Sequence, residues 1–333
     1  MYGAGSYATD VSKFLASRNI FIDAYCVDEF YLKNKEMFIN NTVITTIGDA
    51  YKKYPKFNIV IGFADYVKAE KNLKKYKNNS KIYFFDAPDR TNFFDYNFVK
   101  RHINEFQTTF NLLSDEESKK VFLAFINTKI SGDPHNIYSL ARFDQYFPDV
   151  IKFDNNESLI DCGAYDGDTI QEFVKQLNRK YDKIFAFEPD SDSYKRLLEN
   201  IKKDHIKDVE TYNKGCWSKR TVLKFSGFGG VTSTVSPQGN TSIKVDRIDN
   251  IVKKEAVSYI KMDIEGAELE ALRGAKNVII NNRPKLAICV YHRPDDLITI
   301  PQYINSLVGD YDYYLRQHQY VSWDMVMYAV PRP

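Results

Sequence analysis

Neither sign of charge dominates this 333-residue chain, in which 46 basic residues stand against 44 acidic ones for a net charge of +2. Such a balance gives no global pull toward nucleic acid or a membrane surface. Apolar runs of about 20 residues, the length a helix needs to cross a bilayer, are also absent. The N-terminus lacks a basic-then-apolar leader. The chain therefore reads as soluble, unexported and cytoplasmic, with no membrane insertion and no nucleic acid polymer as partner. Cysteine is scarce. Cys26, Cys162, Cys216 and Cys289 lie far apart and form no C-x-x-C pair, which argues against a disulfide scaffold and for reduced thiols. Cys162 and Cys289 fall in apolar runs and read as small core hydrophobes.

What is present is strand and helix in alternation, the pattern of an α/β protein with a parallel sheet and crossover helices. The most informative stretch is Leu159-Ile160-Asp161-Cys162-Gly163-Ala164-Tyr165-Asp166-Gly167-Asp168-Thr169, an apolar strand that turns through glycine into a helix predicted over 168–177. This arrangement brings backbone N–H groups and a helix N-terminus up to a ligand, and Gly163 permits a tight turn and close approach. The next strand, 183–187, ends in Glu188-Pro189-Asp190. An acid at the tip of the second strand, roughly 20 to 30 residues after the glycine turn, is placed to bind the two hydroxyls of a ribose. A third segment reads Tyr259-Ile260-Lys261-Met262-Asp263-Ile264-Glu265-Gly266-Ala267-Glu268.

These three segments, in this order, resemble the FkbM-type methyltransferases, whose motifs read approximately D-x-G-A-x-x-G-D, F-E-P and K-x-D-x-E-G-A-E. The resemblance covers roughly the half of the chain after Asp154. It implies a class I methyltransferase domain with a Rossmann-like seven-stranded sheet and S-adenosylmethionine as cofactor. One departure from the general methyltransferase turn is Tyr165 in place of its middle glycine. The turn also lacks the G-x-G-x-x-G that a nicotinamide cofactor would ask for. By the resemblance, Asp161 and the turn Gly163, Ala164, Tyr165, Asp166, Gly167, Asp168 and Thr169 would hold the methionine part. Glu188, with Pro189 and Asp190, would hold the ribose. Gly215, Cys216 and Trp217, after the third strand, would meet the adenine.

Three segments divide the chain on this reading: a small Rossmann-like N-terminal domain over 1–88, a helical connector over 89–150, and the methyltransferase domain over 151–333. The first begins abruptly at Gly3-x-Gly5-x-x-Ala8, so its leading strand is either truncated or only a residue or two long. With Asp28 at the next strand end, that turn could bind a nucleotide and resembles the N-terminal domains of sugar-modifying enzymes; equally, glycine there is simply the shape such folds need. Acceptor recognition and homodimer contacts are both uses open to this domain. In the connector, helices are expected over 97–110 and 115–130, the second capped by Ser114, and a short strand over 146–151. Further on, strands over 221–225 and 243–245 bracket a stretch containing Gly227, Gly229, Gly230 and Gly239, which suits either a flap over an acceptor site or a plain hairpin.

Ligands of open α/β sheets gather beyond the carboxyl ends of the strands. Asp161, Glu188, Asp263 and His292 each follow or close an apolar run, so all four should face one crevice. Methyl transfer to a hydroxyl needs near-attack alignment and a base. His292, as a neutral imidazole, is the first candidate, followed by Asp263 and Glu265. Lys261 should share a strand face with Asp263 and pair with it. Asp263, Glu265 and His292 could instead hold a divalent metal that lowers the hydroxyl pKa, a weaker reading than direct base catalysis, and Glu265 could simply favour a helix N-terminus. The acceptor implied by the resemblance is a sugar or nucleotide-linked sugar destined for a surface polysaccharide. Two rivals stand beside this: a nicotinamide-dependent sugar oxidoreductase using the Gly3 turn, and an inert sugar-nucleotide-binding module.

Overall fold

The larger sheet has seven strands, the inner ones cut from runs largely apolar on both faces and the outer ones carrying more polar side chains. They are Glu157–Cys162 (β1), Tyr181–Phe187 (β2), Val209–Tyr212 (β3), Tyr259–Met262 (β4), Lys285–Cys289 (β5), Tyr311–Gln317 (β6) and Met325–Pro331 (β7). β1 and β4 are buried at every position, as expected of strands covered on both sides. The computed structural model describes residues 1–333 except 33–36, 40–41, 55, 64, 80, 86–93, 227–233, 236–240 and 254, and omits the side chains of 77–79, 225–226, 234–235 and 241. All four glycines of the expected flap fall outside the described residues.

The strand order is β6-β7-β5-β4-β1-β2-β3. β1 to β5 run parallel, and β7 lies antiparallel between β5 and β6. This is the class I methyltransferase arrangement expected from the sequence. Because β1, β2, β4 and β5 point the same way, their carboxyl ends share one rim. Helices Asp168–Gln176 (α1) and Ser191–Lys203 (α2) make the first two crossovers, Glu268–Gly274 (α3) and Lys276–Asn282 (α4) follow β4, and Asp296–Leu307 (α5) follows β5. α1 turns Ile170, Phe173 and Val174 inward onto Leu159, Ile184 and Tyr259. Each such side chain removed from water contributes about 1.5 to 3 kcal/mol. The Asp190 carboxylate starts α2 by accepting the Ser193 N–H at 2.8 Å.

The described residues form two compact units, 1–101 with 121–141 and 319–323, and 102–120 with 142–318 and 324–333. In the first, a three-stranded sheet (Tyr25–Val27, Thr42–Thr46, Phe38–Ile39) and a parallel pair (Ile59–Ile61, Ile82–Phe84) meet at Tyr2, which bridges Cys26 and Ile61. The bridge at Tyr2 stands at the place of the leading strand. Gly3, at φ +120°, faces the Gly62 carbonyl oxygen so closely that a Cβ would lie 2.7 Å from it. Its glycine is required by packing. Asp28 accepts hydrogen bonds from the Tyr2 hydroxyl at 2.7 Å and Asn72 at 3.0 Å, so its carboxylate already has partners.

Several local expectations are corrected. Residues 146–151 form turns and no strand, with Tyr146 at φ +66°. The helix expected over 97–110 is divided into Tyr96–Arg101 and Ile103–Leu112. Helix Glu116–Ser131 is capped by the Asp115 carboxylate, which accepts the Ser118 N–H at 2.7 Å. Ser114 instead joins β6, its hydroxyl accepting the Tyr313 N–H at 3.0 Å.

Gly163 leaves β1 at φ +83°, and a Cβ there would lie 2.1 Å from the Asp263 carbonyl oxygen. The closest approach it permits is therefore to the end of β4. Gly163→Ala combines left-handed strain with a backbone clash and should cost about 1 to 3 kcal/mol or more. A thermal midpoint unchanged from the parent protein would contradict this account.

Candidate active site

Register places Lys261 of β4 directly beside Asp161 of β1. The Lys261 Nζ lies 3.0 Å from Asp161 Oδ1 and donates to the Gly163 carbonyl at 2.8 Å. Both side chains are buried, at 4% and 0% exposure. Burial pulls the ammonium down, but the charges of Asp161 and Asp263 outweigh it and hold the proton on the lysine. Burial also raises the Asp161 carboxyl, against the pull of Lys261; the ammonium is the stronger holder, so the pair is ionic. The expected partner of Lys261 was Asp263, yet strand alternation says nothing of the neighbouring strand. Register decides it.

Beyond Gly163, the turn packs against the end of β2. The amides of Gly163 and Ala164 both donate to the Phe187 carbonyl at 3.0 Å. Tyr165, at φ +48°, donates its N–H to Glu188 Oε2 at 2.9 Å and leaves its ring half-exposed beneath Arg196. The Asp190 N–H takes Glu188 Oε1 at 2.8 Å. Each Glu188 oxygen thus has one backbone donor and keeps acceptor capacity. Burial lifts this carboxyl to about 7, partly opposed by those two N–H groups. Asp166 closes the turn, its carbonyl accepting from Asn200 at 2.8 Å. Gly167, at φ +92°, leads into α1, where Asp168 Oδ1 accepts the Thr169 N–H at 2.7 Å. Asn213 donates to the carbonyls of Glu188 and Pro189 at 2.9 and 3.2 Å.

Gly215 and Cys216 form a short strand paired with Val245 and Asp246, and the Trp217 N–H donates to the Asp246 carbonyl at 2.9 Å. The buried Cys216 thiol lies 3.3 Å from Cys162 Sγ. Burial pushes this thiol well up, which suits a reduced, unreactive core pair.

At the β4 and β5 ends, three carboxylates surround one imidazole. His292 Nδ1 lies 3.0 Å from Glu268 Oε1, while Nε2 lies 3.4 Å from Asp263 Oδ1 and 3.6 Å from Glu265 Oε2. Asp263 Oδ2 also accepts from the Tyr146 hydroxyl at 2.8 Å, and Glu268 Oε1 accepts the Ile264 N–H at 2.9 Å. Tyr291 lies against the imidazole at 4.0 Å between centroids. Burial alone would lower His292, but Glu268, Asp263 and Glu265 together lift it to about 10. The neutral imidazole expected from the sequence is therefore replaced by an imidazolium. Burial raises Glu265 to about 7, against the opposing charge of His292. For Asp263 burial is outweighed by His292 and Lys261, which hold its carboxyl below the usual range. Glu265 and Asp263 are the more open groups, at 30% and 27% exposure.

The structure thus gathers the predicted Asp161, Lys261, Glu188, Asp263, Glu265 and His292 on one rim. Glu268 and Tyr146 were not foreseen. Glu268 stood in the quoted E-G-A-E segment, where its spacing from Glu265 was the available signal; Tyr146 lay in a stretch misread as strand.

The methyltransferase FkbM domain family matches residues 161–322, from the buried aspartate of β1 to just beyond β6. Residues 161–322 are an FkbM methyltransferase domain. Hexuronic acid methyltransferase AglP of Haloferax volcanii is 32% identical over 102 residues, which cover 29% of this chain and 42% of that protein. The chain thus spans less than half the length of this relative. The crystal structure of methyltransferase FkbM from Methylobacillus flagellatus KT superposes with a TM-score of 0.77 at 24% identity, covering 93% of this chain and 84% of that one. At that identity the likeness is one of fold. It accords with the seven-stranded sheet.

Lys261→Met would strand the Asp161 charge inside the FkbM domain and should destabilise it by about 3 to 5 kcal/mol. The double variant Asp161→Asn with Lys261→Met should recover most of that loss. Denaturant unfolding of the parent, each single variant and the double variant measures the coupling, and additive losses would show that the pair is not a unit.

Proposed function

We propose that this chain transfers a methyl group from S-adenosylmethionine to a hydroxyl of a sugar or nucleotide-linked sugar. The reading rests most on one observation: acidic and imidazole groups from separate strand ends of an FkbM domain meet on a single rim. The cofactor suits the residues present. Glu188 is a buried carboxylate whose two oxygens keep acceptor capacity for a pair of hydroxyls, at the tip of the second strand. The turn from Gly163 to Thr169 and the N-terminus of α1 hold the methionine part, with Asp161 and Lys261 fixing the turn from beneath. Pro189 and Asp190 would stand beside the ribose, and Gly215 and Trp217 would flank the adenine, with Cys216 buried between them.

When bound, the cofactor supplies an electrophilic methyl group on a sulfonium. The chain aligns the acceptor hydroxyl and takes its proton. Glu265, the most open carboxylate of the His292 cluster, accepts that proton, while Asp263 and the His292 imidazolium hold it in place. A carbohydrate acceptor is supported by the relative whose name is that of a hexuronic acid methyltransferase. The product would enter a surface polysaccharide. Among the described residues no helix is long and apolar enough to cross a membrane. Action in the cytoplasm is part of the proposal.

If Glu188 binds the ribose as a carboxylate, affinity for S-adenosylmethionine should be level above pH 7 and fall by up to about tenfold per unit below it, because the proton competes with the ligand. Calorimetry across pH 5.5 to 8.5 measures this. Glu188→Gln should bind more weakly and lose the slope, and a Gln variant that matched the parent protein would remove Glu188 from the site.

Methyl transfer itself is read with methyl-labelled S-adenosylmethionine and a panel of hexuronic acids, neutral sugars and their nucleotide conjugates. Glu265→Gln should lower turnover about 10²- to 10⁴-fold with cofactor affinity retained. No labelled product from any sugar would sink the acceptor assignment.

A further inference from the structure

Around His292 three carboxylates face one ring, so a single positive charge on the imidazole leaves the group negative overall. The side chain of His292 is only 7% exposed and that of Glu268 is fully buried. Despite the short separations, among the described residues neither ring nitrogen makes an aligned hydrogen bond, and Glu268 Oε2 has no hydrogen-bond partner either. Buried polar atoms in this condition are expensive unless something else satisfies them. One oxygen each of Asp263 and Glu268 and one nitrogen of His292 lie within 4.8 Å of one another. Donor atoms around a common divalent ion stand about 3 to 4.4 Å apart, so small side-chain rotations bring these three onto one centre.

We propose that Asp263, Glu268 and His292, whose imidazolium gives up one ring proton to solvent as the metal binds, form a binding site for one divalent first-row cation. The donor set, two carboxylates and one imidazole, suits Mn²⁺, Fe²⁺, Co²⁺ or Zn²⁺, and is poorer in oxygen than Ca²⁺ prefers. Three protein ligands leave coordination positions open. Asp263 is the partly exposed member, so the open side communicates with the rim, and an acceptor hydroxyl entering there would bind the ion through oxygen and lose its proton more readily. Glu265, 3.6 Å from His292 Nε2, stands outside the three and is placed to receive that proton. Tyr146, donating to Asp263 Oδ2, and the Ile264 N–H, donating to Glu268 Oε1, orient two of the ligands from behind. The use of the ion in catalysis rests on the methyl-transfer reading; its binding does not.

The full chain, stripped with EDTA and dialysed, is titrated with Co²⁺ followed by visible absorption and with Mn²⁺ followed by the loss of its free EPR signal. One ion per chain is expected. Asp263→Asn and Glu268→Gln, which keep shape and most acceptor capacity, should each weaken binding at least about tenfold, whereas Glu172→Gln on the exposed face of α1 should not. In the unmodified chain, Mn²⁺ should broaden the ring resonances of one of the five histidines, and that signal should be the one missing from His292→Gln. This second readout is independent of whether the buried-acid variants fold. Absence of stoichiometric binding, or binding indifferent to both acid variants with no histidine broadened, overturns the proposal. Stoichiometric binding by a chain that methylates no sugar upholds the cation site while the acceptor assignment fails. Full methyl transfer by ion-free protein, with no ion taken up on titration, overturns the site while leaving the function standing.

Discussion

The rim is held in place by one buried ion pair. Lys261 and Asp161 face each other across adjacent strands with almost no access to water, and the same ammonium also binds the Gly163 carbonyl. Two charges removed from water are costly, so such a pair is tolerated only where geometry is close and fixed. Here that demand fixes register between β1 and β4, and with it the height of everything that leaves their ends. The turn after β1 then passes over the Asp263 carbonyl at a distance only glycine allows. Charge pairing inside the sheet and backbone contact above it are one arrangement.

Two electrostatic environments sit side by side as a result. On the β1 and β2 side, Lys261 neutralises the charge of Asp161, and Glu188 is held by backbone amides and raised toward neutrality by burial. On the β4 and β5 side, acid outnumbers base around His292. A group of this kind favours cations and protons. The division explains how neighbouring carboxylates on one sheet edge come to behave differently: burial, backbone donors and ionic partners differ at each.

Strand ends and the order of the motifs were legible in the sequence because they depend on local periodicity and on the rule that parallel strands share a rim, whereas the seven-stranded architecture followed only from the resemblance that the three motifs carry. The pairing of Lys261 was not, because it depends on which residue of another strand stands alongside. The protonated state of His292 was hidden for the same reason: its three carboxylates come from beyond its own segment, one of them from the start of α3. Tyr146 escaped notice in a turn whose positive φ no propensity announces. Ser114 and Asp115 are both good cap residues, and only the competing demand of Tyr313 for the serine separated their roles.

One feature of the topology bears on biosynthesis. β7 is an inner strand, inserted between β5 and β6, while Val321, a few residues earlier in the chain, belongs to the hydrophobic core of the other unit. The larger sheet cannot be completed on a nascent polypeptide until the stretch 311–331 has emerged from the ribosome, and Val321 reaches the core of the other unit in the same interval. Completing the sheet and adding this side chain to the other core therefore belong to one event in synthesis rather than to two.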